Sequence, residues 1–297
     1  MRYGELVYRL RVNRNMSQEK LAQGISSQPT LSRFEAGEAY VPAETLIQYM
    51  KRLCINPTEF FTMVEDETLN EYQYFYQLYE SATRHKADKD TLMERELDLF
   101  NKTNDQTFFI NAILIRLTYA KKNSESLEKY KRDIDWVLDY FGKLEYWHLR
   151  DLEMYVSLVF VFASGRVRKN HLKMTLLIEN SVFSEKQKKK LRFSYAHNVI
   201  ILMFERLYLQ DIPLYLHELD KSISNDSEDL DRSFVYSVFS QLYQLTQSFS
   251  EIKLLELLME IKILRKYHYA DNYHFHRNLV LSTLSRLELI NVDDYNK

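Results

Sequence analysis

Apolar residues recur at every third or fourth position along most of the chain, and short polar segments separate the apolar stretches. This spacing is typical of amphipathic α-helices, because an α-helix completes one turn every 3.6 residues. From Leu69 onward the pattern predicts a succession of such helices, one of them over residues 147–163, joined by brief turns such as residues 121–126 and 224–231. Helices joined in this way form antiparallel pairs, and each pair buries its apolar stripe against the next. We therefore expect an all-α fold dominated by a superhelical α-solenoid of degenerate helix pairs.

The first 60 residues show a different pattern, which predicts five shorter helices with clear start and stop signals. Ser17 can cap the second helix, and Ser26 or Ser27 can cap the third, because serine hydroxyls accept hydrogen bonds from the first backbone amides of a helix. Gly24 and Gly37 can end these two helices, since glycine adopts the left-handed conformation without strain.

The acidic segment TMVEDETLN, residues 62–70, interrupts this pattern. It is either a boundary between domains or the first turns of a long connecting helix, and the sequence does not decide between them. We place a boundary there and predict two domains, residues 1–65 and residues 66–297.

Composition supports the all-α prediction and indicates a compartment. Only 5 glycines and 4 prolines occur in 297 residues, and no proline lies between Thr58 and Ile212. Cys54 is the only cysteine, so no internal disulfide can form, and a reducing cytoplasm is the expected location. In its apolar surroundings Cys54 is expected to be a small buried side chain. No apolar stretch is long enough to span a membrane, so we expect no membrane partner.

Charge is distributed unevenly along the chain. Residues 1–36 carry a net charge of +3, which leaves −5 on the remainder of a chain whose total is −2. A basic segment attached to an acidic body is typical of a nucleic-acid contact confined to one end of the protein.

The segment SSQPTLSRFEAGE, residues 26–38, predicts where that contact lies. Two short helices joined by a tight turn form a helix-turn-helix, whose second helix presents its N-terminal side chains to base edges in the major groove. Leu31 and Phe34 share one side of this helix and are expected to anchor it in the core. Gln28, Ser32 and Arg33 would then face DNA, where glutamine can pair with adenine and arginine with guanine.

Other side chains near this helix have expected supporting roles. Gln18 begins the preceding helix and could donate a hydrogen bond to a phosphate, while Arg9, Arg14 and Lys20 could contact phosphates without specifying sequence. Arg11 and Glu35 are expected to form a structural salt bridge between the first and third helices.

Residues 4–61 resemble the phage-repressor-like (XRE) helix-turn-helix family in four motifs: SQEKLA, SRFEAGE, PxxTL and LxINPxEFF. The SRFEAGE form is most similar to the Rgg/GadR/MutR regulators of Gram-positive bacteria. The resemblance implies that Gln18, Gln28, Ser32 and Arg33 are DNA-facing and that Arg11 and Glu35 hold the family's salt-bridge positions. It also implies a tetratricopeptide-like (TPR-like) second domain that binds a short secreted peptide and dimerises.

For the peptide, the same resemblance points to four residues of the second domain. Asn198 lies in a helix with few other polar groups and is either a peptide contact or a core asparagine bonded to a neighbouring helix. Ser157 and Phe160 occupy positions where relatives contact the peptide. Because Phe160 replaces a basic residue there, a more apolar peptide is expected. Tyr236 is a weaker candidate. The broad apolar pattern of residues 251–267 predicts either a central solenoid helix or part of a subunit interface.

The absence of several sequence motifs argues against several classes of function. No phosphate-binding loop, nucleophile motif or paired-carboxylate motif is present, so we expect no enzyme activity and no cofactor. His268, His274 and His276 do not converge on one helix face, so no metal site is expected. We predict a homodimeric, peptide-responsive transcription regulator that binds double-stranded promoter DNA, with RNA polymerase as a further potential contact. The alternatives are an interaction adaptor that does not bind DNA and a ligand-independent repressor.

Overall fold

The computed structural model describes residues 3–64, 75, 78–79, 82, 86–181, 183–223, 230–266 and 270–295. Within these residues every regular element is an α- or 3₁₀-helix, so the all-α prediction is confirmed. In chain order the α-helices are α1 Tyr3–Asn13, α2 Gln18–Ala22, α3 Gln28–Glu35, α4 Ala43–Arg52, α5 Pro57–Met63, α6 Lys86–Thr103, α7 Gln106–Lys122, α8 Lys131–Lys143, α9 Leu149–Ser157, α10 Ser164–Glu179, α11 Glu185–Arg206, α12 Ile212–Lys221, α13 Leu230–Gln247, α14 Glu251–Lys266 and α15 Ala270–Arg286.

The chain divides into two compact units, Met1–Leu92 and Met93–Lys297, called here the N-terminal and C-terminal units. The domain boundary predicted between residues 65 and 66 lies outside the described residues, whose first stretch ends at residue 64. None of the described helices is both long enough and apolar enough to cross a membrane.

The N-terminal unit has its own apolar core, to which all five of its first helices contribute. Leu21, Leu31, Tyr49 and Phe60 are fully buried there, one from each of α2 to α5, and so is Leu53, the residue directly after α4. Burial of each such side chain stabilises the fold by roughly 1.5–3 kcal/mol relative to exposure. This core fixes the position of α3 and thereby decides which of its side chains face solvent.

In the C-terminal unit, consecutive helices pack on one another: α10 on α11, α11 on α12, α12 on α13 and α14 on α15. The long helix α11 also contacts α9 and α15, so it lies at the centre of the unit. Packing between sequence neighbours is what the solenoid prediction requires, since each helix pair covers the apolar stripe of the next.

One predicted helix, residues 147–163, is shorter in the structure. Helix α9 ends at Ser157, and a 3₁₀ turn, Val159–Val161, follows before α10 begins at Ser164. The guanidinium of Arg206 stabilises this turn by donating to the carbonyl oxygens of Phe160 (2.8 Å) and Phe162 (2.7 Å). Phe160 therefore lies on an irregular segment rather than within a continuous helix.

Cys54 also differs from its prediction as a buried side chain. It is exposed and adopts a left-handed conformation with φ of 49° directly after α4. Its backbone amide donates to the Lys51 carbonyl and that of Ile55 to the Met50 carbonyl, both at 3.1 Å, which closes the helix end. The chain thus turns at this residue, and the turn directs its side chain away from the core.

Candidate DNA-binding and peptide-binding sites

Helices α2 and α3 form a helix-turn-helix with a capping serine at each N-terminus. The hydroxyl oxygens of Ser17 and Ser27 accept hydrogen bonds from the amides of Lys20 and Thr30, each at 3.2 Å. Ser27 is therefore the cap of α3, whereas Ser26 Oγ lies 2.5 Å from Tyr49 Oη and ties the turn to α4. The positive φ of 72° at Gly24 allows the tight turn between the two helices.

The outer face of α3 carries the side chains that were predicted to contact DNA. Leu31 and Phe34 are 0% and 5% exposed, so they anchor the opposite face. Gln28 and Arg33 are exposed and Ser32 is half-buried. Gln28 and Ser32 lie about one turn apart and Arg33 directly follows Ser32, so the three side chains give a surface that can lie in a groove without displacing core residues.

Arg11 and Glu35 form a buried ion pair between α1 and α3. Arg11 Nε lies 2.6 Å from Glu35 Oε1, and Arg11 Nη2 donates to Glu35 Oε2 at 2.7 Å, so the pair is bidentate. Arg11 Nη1 also donates to the carbonyl oxygen of Met16 at 2.8 Å, just before α2. The hydrogen bond to Glu35 raises the pKa of Arg11 above its ordinary value, which keeps the guanidinium charged.

The ion pair continues into a chain of amide hydrogen bonds. Gln18 Nε2 donates to Glu35 Oε2 at 2.8 Å, and Gln28 Nε2 donates to Gln18 Oε1 at 2.6 Å. Glu35 therefore orients Gln18, and Gln18 in turn holds Gln28 at the start of α3. Sequence reasoning placed Gln18 at a phosphate and missed this positioning role, because spacing alone does not reveal which amide bonds which.

Arg52 is a second residue that sequence reasoning missed. It lies in the last turn of α4, and its Nη1 donates to the carbonyl oxygens of Leu21 (3.0 Å), Lys20 (3.4 Å) and Gln23. These carbonyls lie at the C-terminal end of α2, where backbone acceptors have no helical partner. Arg52 therefore fixes the turn that leads into α3.

The predicted phosphate contacts Arg9, Arg14 and Lys20 are all exposed. Arg9 lies on α1, Arg14 directly follows α1, and Lys20 lies on α2. They give the N-terminal unit exposed positive charge on the elements that precede α3.

The C-terminal unit contains a groove of about 820 Å³, called here the first groove, and three of the four predicted peptide contacts line it. Ser157, Phe160 and Asn198 are brought together there, whereas Tyr236, half-buried on α13, is not part of the lining. The other lining residues were not predicted and come from α7 and the segment after it, the 3₁₀ turn after α9, α11 and α15: Thr118, Lys121, Lys122, Ser124, Glu125, Leu127, Val159, Ile201, Leu202, Glu205, Phe275, Asn278, Leu279 and Ser282.

Asn198 has an internal bond as well as a place in the groove. Its Nδ2 donates to the carbonyl oxygen of Val156 at 3.0 Å, near the C-terminus of α9. Both interpretations of Asn198 therefore have a structural basis: its side chain is bonded to a neighbouring helix, and the residue lines the first groove.

Lys121 and Glu205 form an ion pair of 2.6 Å within the first groove, between α7 and α11. The Lys121 ammonium also lies 5.9 Å from the centre of the Phe160 ring. The positive charge beside Phe160 in this groove thus comes from Lys121 of α7, and the carboxylate of Glu205 neutralises it.

A half-buried histidine, His197, lies beside Asn198, and a buried one, His276, lies on α15. His197 Nδ1 is 3.0 Å from Asn198 Oδ1, and burial lowers the pKa of His197. His276 on α15 is 4% exposed and packs against Phe234, Phe239 and Phe275. Burial, with a smaller contribution from His197, lowers the pKa of His276 to about 4, so the ring is neutral at pH 7.

The low pKa of His276 predicts acid sensitivity of the C-terminal unit. In the unfolded chain this histidine binds a proton near pH 6.5, whereas the folded protein resists protonation until about pH 4. Stability should therefore decrease as pH falls below 6.5, by about 3 kcal/mol at pH 4. His276→Leu should flatten this part of the pH dependence in urea unfolding measured between pH 7 and pH 4.5. An unchanged slope in the variant would contradict the prediction.

Comparison with known proteins identifies the N-terminal element. Residues 7–60 match the family model HTH_3, described as a helix-turn-helix. The predicted XRE-like helix-turn-helix is confirmed. No curated protein sequence matches the chain.

Solved structures of similar architecture cover nearly the whole chain. A protein of Listeria monocytogenes EGD-e, described as a transcriptional regulator, has a TM-score of 0.72 and 14% identity, and covers 97% of this chain and 99% of its own. The Streptococcus dysgalactiae SHP pheromone receptor Rgg2 has a TM-score of 0.64 and 17% identity, with 94% and 98% covered. A bacterial peptide pheromone/receptor complex has a TM-score of 0.63 and 18% identity, with 95% and 98% covered. This likeness confirms the fold, a helix-turn-helix followed by a helical-repeat unit.

Proposed function

We propose that this protein is a sequence-specific transcription regulator whose C-terminal unit binds a short signalling peptide. The observation that carries the proposal is the outer face of α3, where Gln28 is held in place and Arg33 is exposed on a capped helix-turn-helix. The peptide component is supported by the first groove and by the shared fold of proteins described as a pheromone receptor and a pheromone/receptor complex.

On DNA, α3 would lie in the major groove. Arg33 would bind a guanine through two hydrogen bonds and Gln28 would bind an adenine, while Ser32 would contact either base type. Arg9, Arg14 and Lys20 would bind phosphates and set the register. Gln18 would position Gln28 and use its remaining N–H for a phosphate.

In the first groove, the peptide would be extended and largely apolar. Phe160 provides an apolar wall, and the amide of Asn198 with the hydroxyl of Ser157 would bond the peptide backbone, whose N–H and C=O groups need partners once buried. Tyr236 does not line the groove and is left out of the proposed contacts.

A homodimer is part of the proposal, because one helix-turn-helix reads few base pairs and a two-fold pair contacts half-sites roughly 34 Å apart. Helix α14 offers a surface for dimerisation. Leu254, Leu257 and Ile261 on its inner face are fully buried. Its outer face leaves an apolar row in solvent: Ile252, Leu255, Met259 and Ile263.

The DNA-binding proposal predicts a sequence-selective complex that depends on Arg33. A duplex selected by the protein from a random pool should lose about 1–3 kcal/mol of binding on Arg33→Ala, with relaxed preference at one base pair. Lys51→Ala removes the same charge from an exposed position on α4 and should leave base preference unchanged. Failure to enrich any sequence, even at low salt, would favour the adaptor alternative.

The same duplex also serves to test whether the protein responds to a signalling peptide. Conditioned medium from the producing cells should change the mobility or affinity of the complex, and Phe160→Ala should weaken that response while DNA binding persists. Phe160 is chosen because Asn198→Ala would also remove the bond to Val156. Tyr146→Ala removes an aromatic ring that is 80% exposed and serves as the control.

A further inference from the structure

The C-terminal unit has a second groove of about 800 Å³ along α9 and α10, and none of its lining residues belongs to the lining of the first groove. Leucine and aromatic side chains form most of its surface. The lining consists of Trp147, His148, Leu149, Leu152, Lys169, Leu172, Lys173, Leu176, Leu177, Asn180, Ser181 and Phe183.

Helix α10 presents an apolar ridge to this groove. Leu172 is 66% exposed and Leu176 is 50% exposed, and their spacing of four residues places them on one face of the helix. Exposed leucines next to one another along a groove mark an interaction surface more strongly than scattered ones do.

The charged side chains that line the second groove are positive, and none is a carboxylate. Lys169 and Lys173 lie on the same face as the two leucines. Neither lysine forms an ion pair within the described ranges of the chain. The Lys173 ammonium instead lies 4.6 Å from the centre of the Trp147 ring, which attracts a cation only modestly at an accessible site. The groove is therefore complementary to negative charge, although the chain beyond residue 36 carries −5.

The length of the groove indicates the shape of what it binds. The lining residues on α10 and its C-cap run from Lys169 to Asn180, which corresponds to about 16 Å along a helix axis. Three helical turns of a partner cover this distance and place apolar residues at i, i+3 or i+4 and i+7 against the ridge, as in other helix-in-groove complexes.

Trp147 supplies a further observation at this groove. Its side chain is 8% exposed, and its indole N–H has no hydrogen-bond acceptor within the described structure. A buried donor without a partner is uncommon, and Trp147 itself forms part of the groove wall.

We propose that the second groove docks an acidic amphipathic helix of a partner protein. The leucines of that helix pack on Leu172 and Leu176, and its carboxylates pair with Lys169 and Lys173. A second copy of this chain is a poorer match, because the exposed apolar row of α14 has charges of both signs beside it, among them Glu256 and Lys262, whereas the groove carries only positive charge.

The experiment uses the full chain and two synthetic helical peptides of 15 residues. Both peptides carry leucines at helical spacing, and their flanking residues are glutamate in one and lysine in the other. Fluorescence anisotropy should give at least tenfold tighter binding of the glutamate peptide, with the difference shrinking as salt is added. In a Trp136→Phe background, the fluorescence of Trp147 should change with the glutamate peptide.

The variants exchange charge at the groove and at a control surface. Lys169→Glu with Lys173→Glu should invert the preference between the two peptides, whereas Lys253→Glu with Lys262→Glu makes the same change in net charge on α14 and should not. Leu172→Ser with Leu176→Ser should weaken both peptides, and both leucines are exposed enough for folding to persist. Equal binding of the two peptides, or an unchanged preference after charge reversal, would overturn the proposal. Dissociation of a dimer by the serine variants in sedimentation would assign the groove to a second copy and would also overturn it.

Discussion

Gly4→Ala should unfold the N-terminal unit or destabilise it by at least about 3 kcal/mol, because α1 and α3 touch at this residue. A Cβ atom at Gly4 would lie 1.8 Å from the carbonyl oxygen of Phe34 and 3.2 Å from the Cα of Glu35. Both are backbone atoms of α3 and cannot rotate away as a side chain could. The two helices would have to separate, and the Arg11–Glu35 ion pair between them would lengthen.

Gly165→Ala is the matched control for this substitution. Gly165 lies in the first turn of α10, and no atom would lie within 4 Å of an added Cβ. Alanine is favoured over glycine in helices by about 0.5–1 kcal/mol, so this variant should be unchanged or slightly more stable. Urea unfolding of both variants measures the difference. A Gly4→Ala protein as stable as the unmodified chain would show that α1 and α3 do not pack as described.

Glu35→Ala should destabilise the N-terminal unit by about 3–5 kcal/mol, because it leaves the Arg11 guanidinium buried without its carboxylate. Arg11 is 8% exposed and Glu35 is 9% exposed, so water can compensate only poorly. Gln18 loses its acceptor in the same variant, and Gln28 then loses the residue that orients it. The free energy of unfolding and the affinity for the selected duplex should both decrease.

A double variant separates stability from positioning. Arg11→Met with Glu35→Leu replaces the ion pair with apolar side chains of similar size, a change that is often neutral or stabilising for buried pairs. Stability should recover in this protein, but DNA affinity should remain low because Gln18 still lacks its acceptor. Recovery of both properties together would show that the ion pair acts only through stability and that the amide chain does not position Gln28.

The sequence was sufficient for features determined by local structure. Glycine stop signals at Gly24 and Gly37 both fall at positions with positive φ, and Ser17 and Ser27 cap the helices that their spacing predicted. Such features depend on a few consecutive residues, whose conformational preferences are fixed by their own side chains.

Contacts between distant residues were not predictable in the same way. Arg52 bonds carbonyl oxygens about 30 residues earlier, and Lys121 pairs with Glu205 across 84 residues of chain. An exposed arginine or lysine carries no signal of which distant acceptor the tertiary fold will bring near it. The end of α9 at Ser157 was missed for a related reason, since the 3₁₀ turn after it is stabilised by Arg206, which lies in a different helix.

The exposed thiol of Cys54 has a practical consequence for spectroscopy. Because it is the only cysteine in the chain, a maleimide or methanethiosulfonate reagent attaches one probe per molecule, in the turn after α4 of the N-terminal unit, with no cysteine removed beforehand. In the proposed homodimer, two spin labels at this position would report the distance between the two N-terminal units by pulsed electron paramagnetic resonance. Adding peptide would then reveal directly whether the ligand changes their spacing.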